Sequence, residues 1–476
     1  MKNEIKKINP VLRYFYVIIS MFRTNIRDYG MYIALTIVFL IFAIMTNGLF
    51  LGPINFTNLL NQTAYVAVLA VGMTLVIVTR QIDLSVGYLG AFLGAYVVVS
   101  VENLHGSIPL ALFSALLITV FVGIFKGFFV AKIKVPSFVI TLAGMFIFKG
   151  FLMLMTNNRT IPTSNEFFNK IGVGYLSTAK IGGLDMITFI MGILIVILIV
   201  VSSILKRRKN RKLGIENESK QIYITKTLFV IFVLLFIAFN LASYRGVSYL
   251  LLITLVVMLV YFFFTTKTTL GRRIYAVGGN PEAAELSGIK VTTIIIIVFI
   301  SMGILALISG VMYASYVQNT SPNHGPFWEL YAIAATFIGG ASASGGIGKI
   351  VNSVIGAVVI MSLKNGMALA GFDSNIEPIV LGSVLLMAVV FDIYTRNIRP
   401  VDLVGMYYAK RKYAEEYTKA KQNLKEAKQK LASAKKTDEP LIEYEYELTN
   451  AKSQYSRIKN KIRSSNEEDY QDMIKV

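Results

Sequence analysis

The stretch GRRIYAVGGNPEAAELSGIKV, residues 271–291, sits between two apolar runs of about twenty residues each and differs from both in being charged and punctuated by glycine. A membrane protein needs no such insert merely to turn its chain around. Asn280 is suited to cap a short helix, with Pro281 at its first position, where a missing N–H costs nothing. Glu282 and Glu285 load the positive end of that helix. Ala283, Ala284, Leu286 and Ile289 make a small apolar face, and Gly288 ends the helix. A short, capped, rigid helix presented outside the bilayer predicts a docking knob gripped by a partner, and no catalytic role is assigned to it.

The chain around this insert is apolar. Of its 476 residues 55% are hydrophobic and 16% charged, with a mean hydropathy of +0.62, whereas a soluble domain is about a quarter charged. Twelve apolar segments recur, at about 31–50, 63–79, 86–101, 108–125, 137–156, 186–205, 227–241, 247–266, 292–317, 330–341, 350–370 and 376–394. Most are long enough to cross a hydrocarbon core of about 30 Å as helices. Several are short, so ten full crossings with broken or re-entrant pieces fit equally well. The expected fold is an all-α, polytopic transmembrane bundle, because backbone in lipid must satisfy its own hydrogen bonds.

Charge orients the bundle. With the N-terminus inside and the segments alternating, the inner stretches before the tail carry 23 Lys and Arg and the outer loops 4. That asymmetry places both termini in the cytoplasm, and the 271–291 loop with them. The inner count includes Arg80 and the basic residues of 126–134. The same rule accounts for the net charge of +20, so no nucleic acid is invoked. The longest outer loop, 157–185, is polar and open to docking from the far side. There is no cysteine, and the two histidines, His105 and His324, fall in loops, so neither thiol chemistry nor a His/Cys metal cluster is expected. Residues 1–30 are basic and do not read as a cleaved signal peptide.

Two further regions differ from the bundle at 31–400. Residues 206–226 hold eight basic side chains and read as a flexible cytoplasmic linker. The tail, residues 401–476, carries apolar residues at Tyr413, Tyr417, Ala420, Leu424, Ala427, Leu431 and Ala434, in alternating steps of three and four. A second such seam runs from Leu441 through Tyr444, Leu448, Ala451, Tyr455 and Ile458 to Ile462. Between them Asp438-Glu439-Pro440 breaks the helix. Two heptad helices joined by a short turn predict an antiparallel, coiled-coil-like hairpin.

Two interruptions of the apolar pattern concern passage through the membrane. Residues 80–87, RQIDLSVG, cut an otherwise apolar run. A carboxylate at such a depth is costly unless it faces protein, water or backbone donors. Asp83 and Ser85 are good N-cap residues, with Asp83 placed to accept from the first free amides of the next helix. A part in a translocation path is compatible with that role, because broken helices are tolerated where they line a cavity. The second interruption, residues 339–348, reads GGASASGGIG. Small residues there permit a sharp turn or close backbone approach. It lacks the Lys-Ser/Thr ending of a phosphate-binding loop. Lys149 and Lys364 lie within apolar segments and either snorkel to an interface or face an aqueous cavity.

The loop sequence GRRIYAVGGNPEAAELSGI resembles the cytoplasmic loop of permease subunits of bacterial ATP-binding-cassette importers for monosaccharides. In that family Glu-Ala-Ala…Gly is the coupling helix that contacts the ATPase subunit. The matching positions here are Glu282, Ala283, Ala284 and Gly288, with Asn280 as their cap. Three more stretches resemble the same family in the same order: IDLSVG at 82–87, VPSFVITLAG at 135–144, and the glycine/serine run at 338–348 followed by Gly356-Ala357. Family members commonly have two glycines where this chain has Arg80-Gln81, and the 206–226 insert and the tail look like additions. The xylose and multiple-monosaccharide permeases are the nearest in pattern.

The resemblance implies a multi-pass subunit of the bacterial cytoplasmic membrane, embedded in lipid and working as a homodimer. It also implies two other partners, a cytoplasmic ATP-binding subunit and an extracytoplasmic sugar-binding protein. The chain itself would need no cofactor or metal and would not be an enzyme. Sugar would pass near the two breaks, where the candidate residues are Asp83, Ser85 and Gly87 in the first and Gly339, Gly340, Ser344 and Gly346 in the second. Three alternatives stand beside this reading. One is a secondary ion-coupled transporter using Asp83, another a membrane scaffold organised by the coiled tail. The third is import of nucleosides or another small polar solute by the same machinery.

Overall fold

The computed structural model describes residues 26–102, 107–177, 180–215, 220–397, 413–437 and 442–464. His105, most of the basic N-terminal segment and the Asp438-Glu439-Pro440 turn lie outside the described residues. In chain order the helices are α1 (Ile26–Met45), α2 (Pro53–Val78), α3 (Val86–Glu102), α4 (Ile108–Ala131), α5 (Ser137–Thr156) and α6 (Glu166–Val173). They continue with α7 (Met186–Lys212), α8 (Lys220–Tyr244), α9 (Tyr249–Lys267), α10 (Thr269–Gly279), α11 (Pro281–Leu286) and α12 (Val291–Val317). The last are α13 (Trp328–Ile338), α14 (Ile350–Leu369), α15 (Ile376–Asn397), α16 (Ala414–Thr437) and α17 (Ile442–Ser464).

Among the described residues eight helices are long and apolar enough to cross a membrane, and four shorter apolar helices join them. Each of the twelve apolar stretches of the sequence is one of these. Two of the short ones, α3 and α13, each adjoin an interruption of the pattern.

The chain divides into two compact units, one of residues 27–199 and 231–394, the other of 1–26, 200–230 and 395–476. In the first, α2 is the hub, buried along almost its whole length, whereas α7 is largely exposed. Around it pack α12, α13 and α14. Small residues bring α3 close to α12: a side chain at Gly310 would overlap the Gly90 carbonyl, and one at Gly90 would meet the Ala306 carbonyl at 2.9 Å. On the 157–185 side a two-residue strand, β1 (Ile161–Pro162), pairs antiparallel with another, Asn319–Thr320. Glu102, at the end of α3, accepts from the backbone of Ser164 and Asn165, which ties that loop to the bundle.

In the second unit α16 and α17 pair as an antiparallel hairpin. Tyr417 faces Tyr455, with hydroxyls 2.9 Å apart, and Lys430 faces Glu447 at 3.1 Å, so one number rises as the other falls. Ala420, Ala427, Ala434 and Ala451, all on the heptad seams, are buried. The stretch 206–226, expected as a flexible linker, is instead largely helical: residues 206–212 complete α7 and 220–226 open α8. Their long basic side chains are good helix formers, and three of them sit in the last turn of α7, where cations oppose the negative end of the helix.

Candidate functional site

The first break begins where α2 ends. Arg80 takes a left-handed backbone conformation, φ +64°, and the chain runs without helical bonds until α3. Its two sides are gripped differently. The Ile82 amide donates to Ser137 Oγ at 3.1 Å and its carbonyl accepts from Thr141 Oγ1 at 3.2 Å, both from the first turns of α5. Gly144, one turn further along α5, leaves room for Ser85: a Cβ there would stand 3.2 Å from that of Ser85.

Asp83 is fully buried and does not cap α3 in the expected way. Its Oδ1 accepts from the amide of Ser85 at 3.0 Å and from the Ser85 hydroxyl at 2.6 Å. Its Oδ2 pairs with Lys126 Nζ at 2.6 Å, and Lys126 also donates to Ser85 Oγ at 3.0 Å. The side chains of Lys126 and Asp83 are 3% and 0% exposed. The sequence reading placed Lys126 among the inner loop charges; it lies instead within α4, and the charge asymmetry survives its removal. A buried pair of this kind contributes little net stability. Removing one partner is costly, about 3–5 kcal/mol, because the other charge is left buried alone.

The second break, between α13 and α14, is built from backbone. Gly340, Gly345 and Gly346 have φ of +85°, +80° and +73°, a region in which residues with a Cβ are strained. Ser342 and Ser344 hydroxyls are 2.8 Å apart and the Ser342 amide donates to the Ile347 carbonyl at 2.9 Å, closing the turn on itself. Gly339 packs on α14, where a Cβ would stand 2.7 Å from the Asn352 backbone.

Both breaks meet the stem of the 271–291 loop. That stem is α10, a helix absent from the sequence reading, capped by the Thr268 hydroxyl and buried through Ile274 and Val277. Arg80 Nε donates to the Gly278 carbonyl at 2.7 Å, and its guanidinium reaches the Gly279 carbonyl as well. The Gly346 amide donates to the Val78 carbonyl at 2.9 Å. A side chain at Gly278 would overlap that same Val78 oxygen. Tyr275 donates to the Gly348 carbonyl at 2.6 Å, and burial pushes its phenol up to about 12, so it stays a neutral donor.

Beyond the stem comes α11. Asn280 Oδ1 accepts from the Ala283 amide at 3.0 Å, Pro281 occupies the first turn, and Gly288 has φ +81°. Glu282, Ala283, Glu285 and Gly288 are exposed. The expected apolar face is split. Ala284 is buried and Ile289 partly so, whereas Leu286 is 91% exposed. A helix of two turns cannot bring four apolar side chains to one side, so Ala284 anchors it and Leu286 projects.

A family model described as a branched-chain amino acid transport system / permease component matches residues 55–389. The chain belongs to this permease family. Among similar proteins, the xylose transport system permease protein XylH of Haemophilus influenzae is 36% identical over 368 residues, covering 77% of this permease and 96% of that relative. Its counterpart in Escherichia coli K12 is 36% identical over 373 residues, covering 78% and 93%. The ribose import permease protein RbsC of the same strain is 32% identical over 342 residues, covering 71% and 85%. These relatives bear out the resemblance to permeases of ATP-binding-cassette monosaccharide importers, and they are transport proteins, not enzymes. No solved structure matches the permease significantly.

The permease brings Arg80 and Gly346 to the stem of the Asn280–Gly288 helix, whereas Asp83 and Ser85 face Lys126 on α4. Gly87 belongs elsewhere, on α3 against the start of α13, where a Cβ would collide with Glu329. Lys364 is ion-paired: its Nζ lies 3.0 Å from Glu377 and 3.0 Å from the Tyr331 hydroxyl, which itself donates to Glu377. Lys149 Nζ lies over the Tyr88 ring, 5.8 Å from its centre. The sequence reading missed Lys126 as the partner of Asp83, and Glu329, whose buried Oε2 has no hydrogen-bond partner among the described residues. Lys126 had a signal, a lone cation inside the apolar run of 108–131.

Proposed function

We propose that this permease is the membrane-spanning subunit of an ATP-driven sugar importer. Two copies form the translocation path, joined to a cytoplasmic ATP-binding subunit through Glu282–Gly288 and fed from outside by a sugar-binding protein. Both termini and the 271–291 loop lie in the cytoplasm, as the basic-residue asymmetry indicates. The observation that carries this reading is mechanical. An exposed, capped helix with a projecting Leu286 stands on a stem bonded to both breaks, through Arg80 to the first and through Tyr275 to the second. Force applied to α11 is therefore delivered to the two places where the spans are interrupted. Pentose relatives make a monosaccharide the expected cargo. The buried Lys126 neutralises Asp83, which speaks against that carboxylate as a coupling-ion site.

The test is reconstitution in proteoliposomes with the ATP-binding subunit and binding protein of the same gene neighbourhood, following labelled xylose and ribose. Uptake that requires all three proteins and ATP is expected. Uptake persisting without the ATP-binding subunit, driven by an ion gradient, would overturn the reading.

A further inference from the structure

Arg80 occupies a position that local backbone chemistry does not favour. Its φ of +64° is in the left-handed region, where a side chain is strained and glycine is at ease. Non-glycine residues persist there when their surroundings over-determine them, and such outliers gather at functional and switching regions. What holds Arg80 is a specific contact. Its planar fork spans two successive carbonyls, Gly278 at 2.7 Å through Nε and Gly279 through Nη2. These are the last two residues of α10, where unpaired carbonyls and the negative helix end favour a cation. The next residue, Asn280, caps the docking helix. Two residues the other way from Arg80, Ile82 is bonded to α5, and Asp83 is locked to Lys126. Gly345 packs against this contact: a side chain there would overlap the Arg80 Cγ and crowd the Gly278 oxygen.

We infer that Arg80, where family members commonly have glycine, is a positioning residue for coupling peculiar to this chain: a tie that carries displacement of the docking helix α11 into the first break. This rests on the reading of α11 as the ATPase contact and adds the element through which the force reaches residues 82–85. The fit is guanidinium-specific. A lysine presents a compact point charge with rotatable donors and lacks the fixed fork that matches two successive carbonyls.

The decisive variant is Arg80→Gly, because glycine is unstrained at this φ and folding is preserved while the tie is cut. The full reconstituted importer is measured for sugar taken up per ATP hydrolysed, alongside recovery of the ATP-binding subunit on the purified permease. Arg80→Gly is expected to lower the uptake-to-hydrolysis ratio about tenfold or more, the scale of losing two charge-assisted hydrogen bonds, with the ATP-binding subunit still recovered. Arg80→Lys should fall between the two. A ratio within about twofold of the parent in Arg80→Gly overturns the inference, since a factor of two is under half a kcal/mol. So does Arg80→Lys matching Arg80→Gly while both fold. If the parent permease itself recovers no ATP-binding subunit, the proposed function falls first and the tie with it. Should Arg80→Gly fail to fold, Arg80→Gln, which keeps the stem length and loses the fork, is read by the same ratio.

Discussion

The breaks at 79–85 and 339–349 both interrupt apolar helices and both touch the stem α10, yet they are held by opposite means. The first is held by side chains: Arg80, the Asp83–Lys126 pair, and two hydroxyls from α5. The second is held by backbone, with three glycines at positive φ and amide-to-carbonyl bonds to itself and to Val78. The difference follows from what fills the space. At the first break long polar side chains reach in, and their heads find partners because an unpaired buried charge is costly. Around the second, the backbones of α2, α10 and α14 come so near that a Cβ would not fit. The first break should therefore fail by loss of a charge partner and the second by gain of a single carbon.

The largest effect is expected at Lys126. Lys126→Met leaves Asp83 buried and unpaired and should cost about 3–5 kcal/mol, seen as a collapse of folded yield and melting temperature in detergent. Adding Asp83→Asn should recover most of it. A single variant as stable as the parent would remove the distinction between the breaks. Next comes the close backbone contact. Gly278→Ala drives a methyl into the Val78 carbonyl and should cost about 1–3 kcal/mol, with no rescue from any change of charge nearby. A neutral outcome would show that α10 can move off α2 freely.

Tyr275→Phe probes the side-chain tie from α10 to the second break. It leaves the Gly348 carbonyl without that donor and should cost about 1 kcal/mol by thermal unfolding. A cost equal to that of Lys126→Met would erase the contrast. The smallest stability effect belongs to Glu282→Arg on the exposed face of α11, within about 0.5 kcal/mol of the parent. Its effect should appear in transport, as uncoupled uptake and poor recovery of the ATP-binding subunit. Normal uptake would detach α11 from the docking role.

Much of this molecule was written locally. Hydropathy over about twenty residues marks a span whatever its neighbours are, so the apolar segments could be read before any packing was known. The same holds for α11, whose cap, proline and terminating glycine lie within nine residues, and for the tail hairpin, whose seams repeat every seven. Local reading failed where meaning depends on a distant partner. Lys126 looked like a loop charge because the carboxylate that neutralises it is 43 residues away. The stem α10 carries no strong local signal, and the glycine at 278 is explained only by its close contact with Val78 and Gly346.

By itself, then, the sequence determined a polytopic helical bundle, its two interruptions, and a presented helix between apolar runs, all properties carried by short-range pattern and backbone propensity. Tertiary structure alone decided that these features are one assembly. Arg80 reaches carbonyls about 200 positions along the chain, and Gly346 donates to a helix end that no local signal connects to it. The physical reason is that hydrogen bonds and ion pairs reach only about 3 Å, so which groups satisfy one another in the membrane is settled by how the helices pack.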